Sequence, residues 1–245
     1  RVADHFNLTI HTYEKVVDIS GEAGNYQIQS SRGQYQSQAV VIATGFYDHA
    51  NLLKVPGEEL SKVEHYYKEA HPYIGKKVLV VGAANSAIDV ALETWRKGAE
   101  VTMVIRQSEI SHRVKYWVRP DIDNRIKEGS IKAYFDSQIL SISETEVRIQ
   151  TPEGEIDIEN DFVLAMTGYH PDYRWLEALG IQLSDDGLYI PIVNPETHET
   201  NRENIYMAGT VCGGMNTNKW FIENSREHAT VVMSQIARRR EAHPA

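Results

Sequence analysis

The stretch KVLVVGAANSAIDVALETWRKGAEVTMVIR at residues 77–106 contains a strand, a tight turn, a helix and a second strand in close succession. Lys77–Val81 and Glu100–Ile105 are short apolar runs of the kind that form buried parallel strands. Between them, Ala87–Lys97 places apolar side chains along one face of a helix, and Gly98 ends it. The spacing predicts a βαβ unit with parallel strands and a right-handed crossover.

The turn of this βαβ unit resembles a dinucleotide-binding fingerprint. Gly82 permits the tight turn, and Ala84 and Ala87 stand where the pattern G-x-G-x-x-G has its second and third glycines. Backbone N–H groups at a helix start point toward a pyrophosphate, whose charge the helix dipole favours. A phosphate-free βαβ unit in a flavodoxin-like sheet is the alternative. The predicted binding residues are Gly82, Ala83, Ala84, Asn85 and Ser86.

A positive charge follows the second strand of the unit. Domains selective for NAD tend to carry Asp or Glu there, because a carboxylate binds the ribose 2′-hydroxyl. This sequence has Arg106, whose guanidinium can bind a 2′-phosphate through two hydrogen bonds. Arg113 and Lys115 follow within reach of the same pocket, so the pattern predicts NADPH as the cofactor. A plain surface position remains the alternative for each of the three.

The segment before this unit is rich in β-branched and aromatic residues, broken by glycines. The pattern predicts strands at Thr9–Val17, Tyr26–Ser30 and Gly33–Val41. The buried run Ala39–Ala43 ends in Thr44-Gly45, a turn that either borders a ligand or is an ordinary β-turn.

The segment after the βαβ unit is predicted to form a helix over Lys115–Lys127, broken at Pro120. An antiparallel β insertion and one more buried strand follow, and the strand ends in Thr167-Gly168. The predicted strands are Ile131–Ser143, Glu146–Thr151, Glu155–Ile158 and Phe162–Ala165.

The C-terminal part returns to a strand, a glycine-rich turn and a helix. Asn204–Ala208 is the predicted strand and Asn224–Arg238 the predicted helix. Glycines between them let the backbone approach a ligand, and the helix start could stabilise negative charge on a reduced flavin. The residues expected to border a flavin are Gly45, Gly209, Thr210, Gly213, Gly214, Met215 and Asn216. Thr44 and Gly168, in the two Thr-Gly turns, are expected to be cofactor-binding without assignment to one cofactor.

Bulk composition excludes several classes of function. The 245 residues carry a net charge of −9, which disfavours nucleic acid and anionic membranes as partners. Cys212 is the only cysteine, so a disulfide framework or a redox dithiol within this sequence is excluded, as expected of a cytoplasmic protein. The spacing of His, Cys and carboxylates predicts no metal site. The oligomeric state stays open, with a homo-oligomer as one alternative.

Taken together, the motifs resemble the bacillithiol-disulfide reductase (YpdA-type) family of thioredoxin-reductase-like flavoproteins. The resemblance extends over nearly the whole chain, and IATGFYDHANLLKVPGEEL (42–60) is one of the matching stretches. The most specific stretches, VKYWVRPDIDNRIKEG (114–129) and GGMNTNKWFIEN (213–224), are far more specific than a bare glycine motif.

This resemblance implies an α/β protein with two Rossmann-like dinucleotide-binding domains. Residues 1–50 and 170–245 would belong to a discontinuous FAD-binding domain, and residues 51–169 to an inserted NADPH-binding domain. The resemblance also implies that the N-terminal FAD βαβ segment, with its G-x-G-x-x-G fingerprint and the family's cysteine, precedes Arg1 and is missing here. Electrons would pass from NADPH through FAD to a small-molecule disulfide, bacillithiol disulfide by resemblance.

Two positions depart from related patterns. KEAHPYIGKK at residues 68–77 stands where thioredoxin reductases have C-x-x-C, which disfavours direct exchange with thioredoxin. Gly209-Thr210 replaces the usual Gly-Asp beside the flavin ribityl chain, and a hydroxyl binds there less strongly than a carboxylate. No side chain of this sequence is predicted as a catalytic nucleophile. The alternatives are a flavin monooxygenase, a ferredoxin–NADP reductase, and a non-catalytic NADPH-binding module.

Overall fold

The computed structural model describes residues 1–242. The helices are α1 (Val2–His5), α2 (Asn85–Arg96), α3 (Arg119–Lys127), α4 (Tyr173–Ala178) and α5 (Ile222–Ala242), with short 3-10 turns at His71–Tyr73 and Gly209–Gly213. The strands are β1 (Val16–Glu22), β2 (Asn25–Ser30), β3 (Gln34–Ser37), β4 (Val40–Ile42), β5 (His49–Ala50), β6 (Val63–Glu64), β7 (Lys77–Val81), β8 (Glu100–Val104), β9 (Lys132–Tyr134), β10 (Gln138–Ile142), β11 (Glu146–Thr151), β12 (Gly154–Glu159), β13 (Phe162–Ala165), β14 (Tyr169–His170) and β15 (Ile205–Met207).

The chain divides into two compact units. The outer unit combines Arg1–His49 with the segment from Tyr169 onward, and the inserted unit is Ala50–Gly168. The domain boundaries predicted from the sequence fall after residues 50 and 169. The assignment of FAD to the outer unit and of NADPH to the inserted unit stays a prediction. Within residues 1–242, no helix combines the length and apolar character that a bilayer crossing requires.

The inserted unit contains a five-stranded sheet in the order β6-β13-β7-β8-β9, in which all neighbouring strands are parallel. The predicted βαβ unit is confirmed, because β7 and β8 pair in parallel and α2 connects them. Helix α2 begins two residues earlier than predicted, at Asn85 rather than Ala87. The sequence pattern therefore located the central motif of this unit correctly.

Strand β7 is buried on both faces. Val78 and Val80 pack in one core with Ala87 and Ile88 of α2. Leu79 and its alternate neighbours pack in a second core with the antiparallel sheet β10-β11-β12. Fully burying an aliphatic side chain contributes about 1.5–3 kcal/mol, so this continuous apolar strand stabilises both layers. The helix on one face and the small sheet on the other hold the end of β7 in place.

The outer unit contains the antiparallel sheet β1-β2-β3 and the parallel pair β4 and β15. Its core includes Ile19, Tyr26 and Met207. The Arg202 guanidinium connects distant segments, since it donates to the carbonyl oxygens of Ile19 (3.0 Å) and Leu179 (2.7 Å). A charged side chain thus connects β1 with the end of α4 by hydrogen bonds to their backbone carbonyl oxygens.

Two predicted strands were placed wrongly. The predicted strand Thr9–Val17 begins only at Val16, and Tyr13 is 93% exposed. β-Branched residues favour a strand only where a neighbouring strand and a core are available to pack against, and residues 9–15 have no paired strand among the described residues. The predicted strand Gly33–Val41 divides into β3 and β4, which belong to different sheets.

The region after β8 also differs from the prediction. Helix α3 begins at Arg119, and Pro120 lies in its first turn instead of breaking it, because the first turn needs no proline N–H. The predicted strand Ile131–Ser143 is two strands. β9 extends the parallel sheet beside β8 while β10 begins the antiparallel sheet, and Asp136 between them has a positive φ of 47°.

Substitutions of Gly57 and Gly129 test how much the close approach of Gly57 to the Ile142 carbonyl matters for the stability of the inserted unit. Both have positive φ, +85° and +81°, but a Cβ at Gly57 would lie 1.8 Å from the Ile142 carbonyl oxygen, whereas one at Gly129 meets nothing within 4 Å. We expect Gly129→Ala to cost about 1 kcal/mol of unfolding free energy, and Gly57→Ala roughly 3 kcal/mol or more. Urea denaturation measures both. Equal losses would contradict the contact described here.

Candidate nucleotide-binding sites

The turn between β7 and α2 requires glycine at its first position. Gly82 has a φ of +132°, and a Cβ there would lie 2.5 Å from the Met166 carbonyl oxygen and 3.1 Å from the Ala87 side chain. Any side chain would therefore push β7 and α2 away from the end of β13. The close approach keeps the start of α2 at the carboxyl end of the parallel sheet, where open α/β sheets bind ligands.

The start of α2 has backbone donors that no side chain caps. Ala84 precedes the helix without a side-chain hydrogen bond, and the first turn contains no acidic residue. The first helical hydrogen bond runs from the Ile88 N–H to the Ala84 carbonyl (3.1 Å). The amides of Asn85, Ser86 and Ala87 therefore have no acceptor within the helix. These donors and the helix dipole make this end suited to an anionic group.

Asn85 fixes a second loop beside this turn. Its side-chain amide donates to the Arg113 carbonyl (3.0 Å), and its carbonyl oxygen accepts from the Lys115 N–H (3.0 Å). The Ser111 N–H also donates to the Ala83 carbonyl (3.1 Å). Three hydrogen bonds thus hold the loop that carries Arg113 and Lys115 against the predicted phosphate-binding turn.

The cations predicted for this site differ in their partners. Arg106 and Arg113 are exposed, and within residues 1–242 neither guanidinium has an ion pair. The Lys115 ammonium pairs with Asp89 on α2 (3.1 Å). Two of the three predicted cations are therefore available to an anion, and the third is already neutralised.

The register of the sheet places Arg106 beside the turn. Val81 pairs with Val104 at the ends of β7 and β8, so both chains leave the sheet at the same edge. Gly82 follows Val81 directly, and Arg106 follows Val104 by two residues. The five predicted turn residues and Arg106 are thus brought together at this edge.

In the outer unit, two predicted turns meet at the carboxyl ends of β4 and β15. These strands are parallel, with Ile42 paired to Met207. Gly45 follows β4 with a φ of +82°, and a Cβ there would lie 3.7 Å from the Thr210 hydroxyl oxygen. Gly209 and Thr210 follow β15, so the structure brings both turns to one edge. Gly168 ends the inserted unit, where its carbonyl accepts from the Asn51 N–H (2.9 Å).

The turn Gly213–Asn216 is held by contacts that the sequence pattern did not reveal. The Met215 N–H donates to the Leu188 carbonyl (2.7 Å), and a Cβ on Gly214 would lie 2.3 Å from the same oxygen. The Gly209 N–H donates to the His228 Nδ1 atom on α5 (3.2 Å). His228 was missed, because 19 residues separate it from Gly209 and no local spacing relates them.

Cys212 lies inside the core of the outer unit. It is 8% exposed, and burial raises the pKa of its thiol to about 12. The residue is therefore a neutral thiol at neutral pH and not a thiolate nucleophile. Burial also lowers the pKa of the His198 and His228 imidazoles, so both are neutral at neutral pH.

Each unit has a turn at the carboxyl ends of its parallel strands. This fold defines the class of α/β proteins with two units of the nucleotide-binding type. The family profile described as pyridine nucleotide-disulphide oxidoreductase matches residues 1–209, and the chain belongs to that family. Members of this family use FAD and a pyridine nucleotide, which confirms the predicted fold class and cofactor types.

Comparison with individual relatives shows which members of this family the chain resembles. The chain is 44% identical over 215 residues to bacilliredoxin reductase Bdr of Bacillus subtilis (strain 168), covering 87% of this chain and 66% of that protein. Solved structures of bacillithiol disulfide reductase Bdr (YpdA) match with TM-scores of 0.92 (Bacillus cereus, 36% identity) and 0.91 (Staphylococcus aureus, 37% identity). Each match covers 97% of this chain and 75% or 74% of the solved chain. The predicted resemblance to the YpdA-type family is confirmed.

Removing the Asn85 side chain should loosen the loop at Arg113–Lys115. We expect the Lys115 amide to exchange with deuterium about two- to tenfold faster in Asn85→Ala, since a hydrogen bond contributes about 0.5–1.5 kcal/mol. Exchange followed by mass spectrometry measures the change. Asn124→Ala, on the exposed face of α3, is the matched control and should leave this amide unchanged. Equal exchange in wild type and Asn85→Ala would show that the bridge does not hold the loop.

Proposed function

We propose that this chain is part of an NADPH-dependent flavoprotein that reduces a low-molecular-weight disulfide. The observation that carries the proposal is that the uncapped start of α2 adjoins the backbone segments that carry Arg106 and Arg113, two exposed cations without an ion pair within residues 1–242. A pyrophosphate and a 2′-phosphate are the two anions of NADPH, and both kinds of donor are available here. The predicted cytoplasmic location and homo-oligomer stay predictions.

In the inserted unit, the backbone of Gly82–Ala84 and the amides of Asn85 and Ser86 would hold the pyrophosphate. The guanidinium groups of Arg106 and Arg113 would bind the 2′-phosphate, where charge-assisted hydrogen bonds are strongest. Lys115 was predicted to take part as well, but its ammonium is paired with Asp89 (3.1 Å), so the assignment to the phosphate is made to the two arginines. An acidic residue in place of Arg106 would instead favour NAD, since a carboxylate repels the extra phosphate.

In the outer unit, the turns after β4 and β15 would border FAD. The residues assigned to it are Gly45, Gly209 and Thr210 and the turn formed by Gly213, Gly214, Met215 and Asn216. Thr44 and Gly168 stay predicted cofactor-binding positions. The positive φ at Gly45 and the nearby Thr210 hydroxyl fit a ligand that approaches the backbone closely. When bound, the cofactors supply hydride transfer and relay of an electron pair to the acceptor. The side chains of this chain bind and orient them.

The acceptor is proposed from the printed names of the relatives and from the cysteine content. Two similar structures are titled bacillithiol disulfide reductase, so bacillithiol disulfide is the acceptor to test first. Cys212 is the only cysteine of the sequence and is buried, so no dithiol of this chain passes the electrons on. A small disulfide therefore fits this chain better than thioredoxin, because KEAHPYIGKK at residues 68–77 lacks the C-x-x-C that thioredoxin reductases carry there.

An anaerobic spectroscopic assay tests the function. We expect NADPH to bleach the flavin absorbance of the purified flavoprotein, NADH to do so far more slowly, and bacillithiol disulfide to restore the absorbance. Oxidised bacilliredoxin is the second acceptor to compare, because one relative is named for it. Failure of NADPH to bleach a flavin-loaded protein would refute the proposal. Restoration only by oxygen with formation of an oxygenated product would favour the monooxygenase alternative.

Replacing Arg106 should alter cofactor choice. We expect Arg106→Ala to raise the KM for NADPH about 10- to 100-fold, because a hydrogen bond to a charged group contributes about 1.5–3 kcal/mol. The KM for NADH, which lacks the 2′-phosphate, should change little. Lys97→Ala removes one exposed positive charge at the opposite end of α2 and is the matched control. An equal effect of Arg106→Ala on both cofactors would rule out the assigned contact.

A further inference from the structure

Three side chains with metal-binding atoms meet in the outer unit, away from the proposed NADPH site. His198 precedes β15, Cys212 lies in the 3-10 turn after β15, and His228 lies on α5. One ligand atom from each lies within 4.8 Å of the others. Cys212 is 8% and His228 4% exposed, so solvent reaches this cluster poorly.

His198 has a ring nitrogen without a partner in the interior of the outer unit. Its Nδ1 atom is buried, and within residues 1–242 it has no hydrogen-bond partner. The backbone at His198 is held by β15, because the Met207 N–H donates to the His198 carbonyl oxygen (2.9 Å). A buried imidazole nitrogen without a hydrogen bond is unusual, and a metal ion is one of the partners that such a nitrogen can bind.

The other two side chains supply the remaining ligands. The two imidazole rings lie side by side, with centroids 4.2 Å apart. The Trp220 ring packs edge-on against His228 (4.4 Å) and shields this side of the cluster. His228 Nδ1 accepts only one long bond, 3.2 Å from the Gly209 amide, which a metal ion can replace.

We propose that His198, Cys212 and His228 bind one Zn²⁺ ion. Two imidazole nitrogens and one thiolate are ligands that zinc prefers, and three protein ligands leave a fourth position for water. Tetrahedral zinc places its ligand atoms roughly 3.3–3.7 Å apart, so the cluster contracts by about 1 Å on binding. The thiol proton of Cys212 leaves to solvent as the zinc–sulfur bond forms.

The alternative is a metal-free polar cluster. The Trp220 Nε1–H is also buried and without a partner among the described residues, and in this alternative it donates to His198 Nδ1. Such a pair would satisfy both groups and leave no lone pair for a metal. The two arrangements make opposite predictions for metal binding.

Co²⁺ is the probe that distinguishes them, because a cobalt–thiolate bond gives a charge-transfer absorption in the near ultraviolet. We expect chelator-treated protein to bind one Co²⁺ per chain with this absorption, and Zn²⁺ to displace it. Cys212→Ser should abolish the charge-transfer band, and His198→Ala should weaken Co²⁺ binding about tenfold or more. His71→Ala, at an exposed position in the other unit, should match wild type.

Thermal melting supplies a readout that does not depend on enzyme activity. Zn²⁺ should raise the Tm of wild type and His71→Ala, and should leave the Tm of His198→Ala nearly unchanged. The apo Tm of each variant shows whether it folds, and His198→Ala carries the test if Cys212→Ser does not. Absence of Co²⁺ binding in wild type, or equal binding in wild type and His198→Ala, would overturn the proposal.

Discussion

Gly82 allows the end of β7 to turn directly into α2 while the Met166 carbonyl lies where a side chain would be, 2.5 Å from the Cβ position. This steric constraint determines where α2 begins. Because β7 is the middle strand of the parallel sheet, the start of α2 lies at the centre of the carboxyl edge. The uncapped amides therefore lie at the same edge of the sheet as Arg106, which follows the neighbouring strand β8.

Burial on both faces of the sheet makes that geometry rigid. α2 packs on one face and the antiparallel sheet β10-β11-β12 on the other, and β7 contributes side chains to both cores. The polar contacts at the carboxyl edge of the parallel sheet are therefore supported by a rigid sheet. Asn85 connects the turn to the loop that carries Arg113, so a single amide side chain aligns a backbone site and a cationic site.

The sequence predicts the features that depend on neighbouring residues. The β7-α2-β8 unit, its glycine and the arginine after β8 all lie within one continuous stretch, where periodicity and turn chemistry are informative. Features that depend on distant partners were missed or misplaced. Residues 9–15 have the composition of a strand but no paired strand among the described residues. Strand β9 pairs in parallel with β8, and nothing in the sequence of β9 itself indicates this partner.

The functional contacts divide in the same way. Arg106 could be predicted as a site residue because the position directly after the second strand of a βαβ unit is informative in sequence, and its role stays a prediction. The Asn85 bridge crosses 28–30 residues and the bond from Gly209 to His228 crosses 19, so neither could be predicted. No spacing rule covers such pairs. The cluster of His198, Cys212 and His228 is a further case, since its members come from a loop, a turn and a helix.

The phosphates of NADPH are proposed to lie on the turn that begins at Gly82. Titration of ¹⁵N-labelled protein with NADP⁺ and with NAD⁺, followed by NMR, tests this binding mode directly. We expect both nucleotides to shift the amide signals of Ala84, Asn85 and Ser86, and only NADP⁺ to shift the side-chain Nε–H of Arg106. Unchanged signals at the turn on saturation with NADP⁺ would contradict it.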